Sequence, residues 1–124
     1  MGGPIVGFVS EFDVAKLKPG TKSEYTLALF ETVGRMLSLD VLVVKGCKPG
    51  STLMATAGVH GDEYEGMFAV RNIYAELDPN KMAGTFIGIP VCNTLAFENL
   101  SRETPAYADG LNLARVFPGD PQGS

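Results

Sequence analysis

Apolar and polar positions along this chain change their period several times, and each change marks an element. Across residues 65–77 the apolar residues Met67, Val70, Ile73, Tyr74 and Leu77 recur at steps of three and four, the spacing of one helical face. Asp62 with Glu65 three positions later reads as a capping pair for this helix, and Asp78-Pro79 reads as its end. Residues 53–57 lead into the helix and residues 86–91 follow it, both short, apolar and β-like. Strand, helix and strand over residues 53–91 make a βαβ unit, which predicts two parallel strands joined by a right-handed crossover.

Upstream, residues 23–30 alternate in part and are rich in β-formers, so they read as a strand. Residues 39–44 are a second, and their run Val41-Leu42-Val43-Val44 suits a strand covered on both faces. Lys18-Pro19-Gly20 and Lys48-Pro49-Gly50 read as turns, the latter closing that strand. Residues 1–20 form a weakly patterned leader in which residues 5–9 suit a short strand. After Asn93 the pattern breaks up: a turn of helix over residues 95–99, a loop over residues 101–110, and turn chemistry from Phe117 onward. The class is α/β. Residues 58–63 and 92–93 then lie beyond the carboxyl ends of strands, where open α/β sheets place ligands. One crossover helix is too few to cover both faces of such a sheet. The chain therefore reads as part of a domain, and the apolar surface left open favours self-association into a homo-oligomer.

Composition narrows the partners. Apolar residues are 45% and charged residues 19% of 124, which excludes a disordered chain. A net charge of −4 with no basic stripe gives no reason to expect nucleic acid. No apolar run approaches a membrane span, and Met1-Gly2-Gly3-Pro4 lacks the basic flank of a secretory signal, so a cytoplasmic protein is expected. Cys47 and Cys92 make no disulfide framework and read as small buried or half-buried residues in a reducing compartment, with Cys92 as a stand-in metal ligand the alternative.

The chemistry concentrates in Gly58-Val59-His60-Gly61-Asp62-Glu63-Tyr64-Glu65-Gly66, which holds the chain's single histidine. A neutral imidazole and a carboxylate at i and i+3 on a glycine-flanked turn can converge on one divalent ion such as zinc. The bland alternative is a capped turn with a surface histidine. A catalytic zinc takes three protein ligands and keeps one position open, and no second histidine exists to serve. Arg102 is either a solvated loop arginine or a site residue. Asn112 with Arg115 is either a polar loop or a fork for a substrate carboxylate.

Taken together these residues resemble the succinylglutamate desuccinylase/aspartoacylase family, relatives of the zinc carboxypeptidases. The His60 turn looks like that family's zinc-binding turn. Lys48-Pro49-Gly50, Asn93 with Ala96-Phe97, Arg102 and the stretch from Asn112 to Gly119 follow in the family's order, over roughly residues 35–124. The resemblance implies a partial zinc-carboxypeptidase-like fold, a mixed or parallel sheet with a flanking helix, incomplete at its C-terminus. It implies that residues 1–124 are the N-terminal part of a single catalytic domain. It implies His60 and Glu63 as zinc ligands, Arg102 as the arginine that polarises the scissile carbonyl, and Arg115 with Asn112 as substrate-binding residues. The implied reaction is hydrolysis of the amide, or ester, of a small N-acyl amino acid. Two departures stand out. The family's Asp-Leu-Asn-Arg reads Asn112-Leu113-Ala114-Arg115 here, so Ala114 lacks an amide that could orient substrate. The third zinc ligand and the catalytic glutamate have no counterpart, since Glu65, Glu98 and Glu103 do not match. Residues 1–124 alone are therefore expected to be inactive. The rival is a non-catalytic binding module that keeps the first half of the fold.

Overall fold

The computed structural model describes residues 5–32 and 34–123. Its strands are β1 (Ile5–Val9), β2 (Thr21–Thr32), β3 (Arg35–Lys45), β4 (Lys48–Thr56) and β5 (Ala83–Ile89), and its helices are α1 (Tyr64–Glu76) and α2 (Thr94–Glu98). One five-stranded sheet runs in the order β1-β2-β3-β5-β4. β1 is parallel to β2, β2 and β3 form an antiparallel hairpin, β3 and β5 are antiparallel, and β4 and β5 are parallel. The sheet is thus mixed, and the β4-α1-β5 unit predicted from periodicity is present within it.

Why β3 carries an unbroken apolar run is clear from its two faces. Leu42 and Val44, with Phe86 of β5, meet Met67, Val70 and Tyr74 of α1 on one side. Val41, Val43 and Ile87 pack on the other side against Phe12, Val14, Leu17, Tyr25 and Leu27. The cover on that second face is the leader: a 3-10 turn over Val14–Lys16, opened by Asp13, and Phe12 edge-on to Tyr25 with ring centroids 5.2 Å apart. Residues that carried little pattern in the sequence thus serve as a lid on half the core. Among the described residues no helix is long and apolar enough to cross a membrane.

Two expectations are corrected here. Lys48-Pro49-Gly50 does not close a strand but begins β4. β4 lies at the edge of the sheet, and its register against β5 is irregular between Lys48 and Thr52. An edge strand has no second neighbour that needs the missing proline amide, so the tripeptide is tolerated there. Helix α1 opens on Glu63, with no side-chain capping bond, rather than on the Asp62/Glu65 pair. Its far end fits expectation: Leu77 caps it, and Asp78 accepts the backbone N–H of Asn80 at 2.9 Å.

Candidate functional site

The ends of β4 and β5 are stitched into one platform. The amide of Ala57 donates to the Ile89 carbonyl at 2.9 Å, that of Cys92 to Ala57 at 2.8 Å, and that of Asn93 to Gly58 at 2.9 Å. The turn after β4 then lies flat on the start of α2 and the loop behind it. At Gly61 a Cβ would fall 2.3 Å from the Ala96 carbonyl carbon, 2.4 Å from the Phe97 nitrogen and 2.5 Å from the Ser101 oxygen, so only glycine fits. The Gly61 amide donates to the Arg102 carbonyl at 3.2 Å. This contact sets the loop that carries Arg102 directly beside the turn that carries His60.

His60 and Glu63 do converge. His60 Nδ1 lies 3.2 Å from Glu63 Oε1, with the imidazole side chain 14% exposed and the carboxylate 56% exposed. Arg102 donates to the same oxygen at 2.5 Å and stands 3.8 Å from Asp62 Oδ1. The hydrogen bond from Arg102 holds the Glu63 carboxyl below the usual carboxylate range, with the charge of Arg102 and contacts from His60 adding to it. The Arg102 guanidinium is pushed up in turn, chiefly by Glu63. These contacts explain the helix start: the Glu63 carboxylate is engaged by His60 and Arg102 instead of capping backbone amides.

The pair fits a metal ion. Two ligand atoms bound to one tetrahedral ion at roughly 2.0–2.1 Å lie about 3.3 Å apart, close to the spacing of His60 Nδ1 and Glu63 Oε1. Asn112 Oδ1 sits 3.1 Å from the other ring nitrogen, Nε2. A hydrogen bond there orients the ring and leaves Nδ1 for the ion, the usual arrangement behind a metal-binding histidine. Among the described residues no group of three or more His, Cys, Asp and Glu side chains comes together, so no third ligand joins the pair. Cys92 is half-buried and burial pushes its thiol up, which suits a packed residue.

Asn112, read from the sequence as a substrate contact, has its amide engaged within the site. Its Oδ1 accepts the Ala114 backbone N–H at 3.1 Å, and its Nδ2 donates to Glu103 Oε1 at 3.0 Å. Arg115 follows on the 3-10 turn Leu113–Arg115, exposed, and its side chain has no hydrogen bond or ion pair among the described residues. Two further residues were noted in the sequence but given no role in the site. Asn93 is buried, caps α2 by accepting from Ala96 N at 3.1 Å, and donates to Thr104 Oγ1 at 2.9 Å, so it ties the Arg102 loop to the sheet. An asparagine just ahead of Thr94-Leu95-Ala96 is an N-cap signal that could have found it. Glu103 has no such local signal.

A five-stranded mixed sheet with an α/β crossover and this turn at its strand ends defines a zinc-carboxypeptidase-like fold. The profile of the succinylglutamate desuccinylase/aspartoacylase catalytic domain matches residues 49–124. The chain belongs to that family. It is 40% identical over 94 residues to the N-alpha-acetyl-L-2,4-diaminobutyric acid deacetylase of Halomonas elongata, a match covering 76% of this chain and 27% of that protein. An aspartoacylase family protein from Mesorhizobium loti superposes with a TM-score of 0.71 at 36% identity, over 91% of this chain and 34% of that one. The product-bound ectoine utilization protein EutE (DoeB) from Ruegeria pomeroyi gives a TM-score of 0.68 at 30% identity, over 83% and 31%. The chain thus spans about a quarter to a third of the length of these relatives.

Proposed function

We propose that these residues carry the metal-binding part of a zinc-dependent deacylase that hydrolyses the amide, or ester, of a small N-acyl amino acid. The observation that carries the reading is the convergence of His60 Nδ1 and Glu63 Oε1 to 3.2 Å with Arg102 on the same carboxylate. The relatives support the substrate class: one is named a deacetylase of an N-acetylated diamino acid, another an ectoine utilization protein. In this reading His60 and Glu63 hold the ion. When bound, zinc would polarise the scissile carbonyl and make a water more acidic. Arg102, at the rim of the pair, offers its guanidinium to the oxygen on which negative charge develops. Arg115 takes the substrate carboxylate with the planar fork that suits it. Asn112 holds the imidazole from behind. The third ligand and the general base are assigned to chain outside these 124 residues, within one catalytic domain, so the 124 residues alone bind zinc weakly and turn over little.

Exposed Leu53 (66%) and Met54 (56%) on the edge strand β4 support self-association as part of the same reading. The two free thiols fit a reducing, cytoplasmic compartment.

The test is deacylation of N-acetyl and N-succinyl amino acids by the complete protein with zinc. Release of the free amino acid, abolished by His60→Ala, is expected. No turnover, together with tight binding of such an acid in the same cleft, would establish the non-catalytic module instead. Zinc titration of the chain and of its His60→Ala variant adds a check, because equal uptake would remove His60 from the site.

A further inference from the structure

Glu103 is a carboxylate that the proposed chemistry does not use, yet it reaches the site from behind. Its Oε1 accepts from Asn112 Nδ2 at 3.0 Å. Asn112 Oδ1 accepts the Ala114 backbone N–H at 3.1 Å and lies 3.1 Å from His60 Nε2. A primary amide can present either end to a neighbour, and its contacts decide which. Here two contacts agree. An ionised carboxylate only accepts, so Glu103 takes the amide NH2. A backbone N–H only donates, so Ala114 takes the oxygen. That oxygen also faces His60 Nε2, which must then be the donor. A neutral imidazole protonated at Nε2 carries its lone pair on Nδ1, pointing at Glu63, where the ion is proposed to sit.

We infer that Glu103 is a positioning residue: through the Asn112 amide it holds His60 as the Nε2–H tautomer with Nδ1 free for a metal ion. The competing tautomer would donate from Nδ1 to Glu63 Oε1, which can accept it beside the Arg102 guanidinium, but it would set the Nε2 lone pair against Asn112 Oδ1 at 3.1 Å with no hydrogen between them. Neighbouring residues of one loop thus each hold one candidate ligand, Arg102 on Glu63 and Glu103, through Asn112, on His60. The loop is itself held, by Ser101 N on the Ala96 carbonyl at 2.9 Å and by Asn93 on Thr104. A consequence follows for residue choice. A carboxylate at position 112 would face Glu103 across the same 3.0 Å gap and repel it, so Glu103 selects an amide there.

The metal consequence rests on the zinc reading, whereas the tautomer belongs to the metal-free chain and can be measured without it. His60 is the only histidine in these 124 residues, so its two ring nitrogens give their only imidazole 15N signals. At alkaline pH the metal-free chain should show a protonated Nε2 and a lone-pair-bearing Nδ1. Glu103→Ala should move both signals toward the other tautomer and weaken zinc binding by up to roughly tenfold, the low end for residues behind a metal ligand. Glu103→Gln, whose side-chain oxygen can still accept, should recover the tautomer and most of the affinity. Asn112→Asp should weaken zinc binding, and adding Glu103→Gln should restore it. Unmoved His60 signals in Glu103→Ala, or an Asn112→Asp defect indifferent to position 103, would overturn the inference. A wild-type chain that takes no zinc while its tautomer still responds to Glu103→Ala overturns the zinc reading and leaves the positioning role standing.

Discussion

Two of the segments that bring side chains to the site are built in opposite ways. The turn from Gly58 to Glu63 is locked: Gly61 is buried against backbone of α2 and the following loop, the Asn93 amide donates to the Gly58 carbonyl, and the turn's own Gly61 amide donates to the Arg102 carbonyl. The segment from Ala106 onward is mostly exposed, with Tyr107 at 69% and Phe117 at 72%, and it is shaped by short-range turns such as Gly110 N on the Pro105 carbonyl. Asn112 is where the open segment touches the locked one. The difference matches the tasks proposed for each. An ion tolerates little error in ligand placement, so its ligands sit on a platform that cannot shift. A carboxylate-binding arginine such as Arg115 must meet a mobile solute, and an open arm serves that.

The largest effect should come from breaking the lock. Gly61→Ala drives a methyl into three backbone atoms at 2.3–2.5 Å, none of which can swing aside like a side-chain tip. Overpacking of this kind typically costs about 1–3 kcal/mol and more where backbone must move. We expect a loss of about 3 kcal/mol in urea unfolding, against a change within about 0.5 kcal/mol for Arg115→Ala on the open arm. Similar midpoints for the two variants would erase the contrast.

Arg102→Gln should sharpen the comparison from inside the locked half. In the metal-free chain Arg102 and a metal ion compete for the same oxygen of Glu63. Removing the guanidinium should therefore raise zinc affinity by roughly threefold, the worth of one exposed ion pair, while deacylation by the complete protein falls. A matched fall in both would mean that Arg102 supports the ligand pair instead of serving the reaction.

How much of this was legible depends on the range of the forces involved. The β4-α1-β5 unit could be read because its apolar spacing is local, and His60 and Glu63 converge because three residues on a turn fix their separation. The Lys48-Pro49-Gly50 start of β4 misled because an edge strand relaxes the rule against proline, and edge position is a property of the whole sheet. Asp62 misled because a capping rule assumes an idle carboxylate next door, whereas Glu63 is held by His60 and Arg102. β3 runs back to Arg35 through a stretch with no apolar run, since its pairing with the far end of β2 carries it. Glu103 could not be found at all from the sequence. Its role depends on which end of a side-chain amide faces an imidazole 52 residues away, and only coordinates decide that.

The smallest effect lies at the other end of the β4-α1-β5 unit from the locked turn, and concerns how that end responds to acid. Asp78 lies in the turn between α1 and β5, where the Cys47 amide binds the Pro79 carbonyl at 2.8 Å and so joins that turn to the start of β4. The Asn80 backbone N–H, more than Lys81, holds the Asp78 carboxyl below the usual aspartate range. A carboxyl whose value is depressed by folding favours the folded chain above its unfolded value and loses that advantage as pH falls through the folded one. The window therefore opens near pH 4, roughly where an unfolded aspartate titrates, and extends below it. Asp78→Asn keeps an oxygen for the Asn80 amide but not the charge. Its melting temperature should be slightly below wild type at pH 7, and the gap should narrow as pH falls below about 4 and wild type loses the charge as well. A gap of constant size across that window would assign the cost to the shape of the turn, and the carboxylate charge would then contribute nothing.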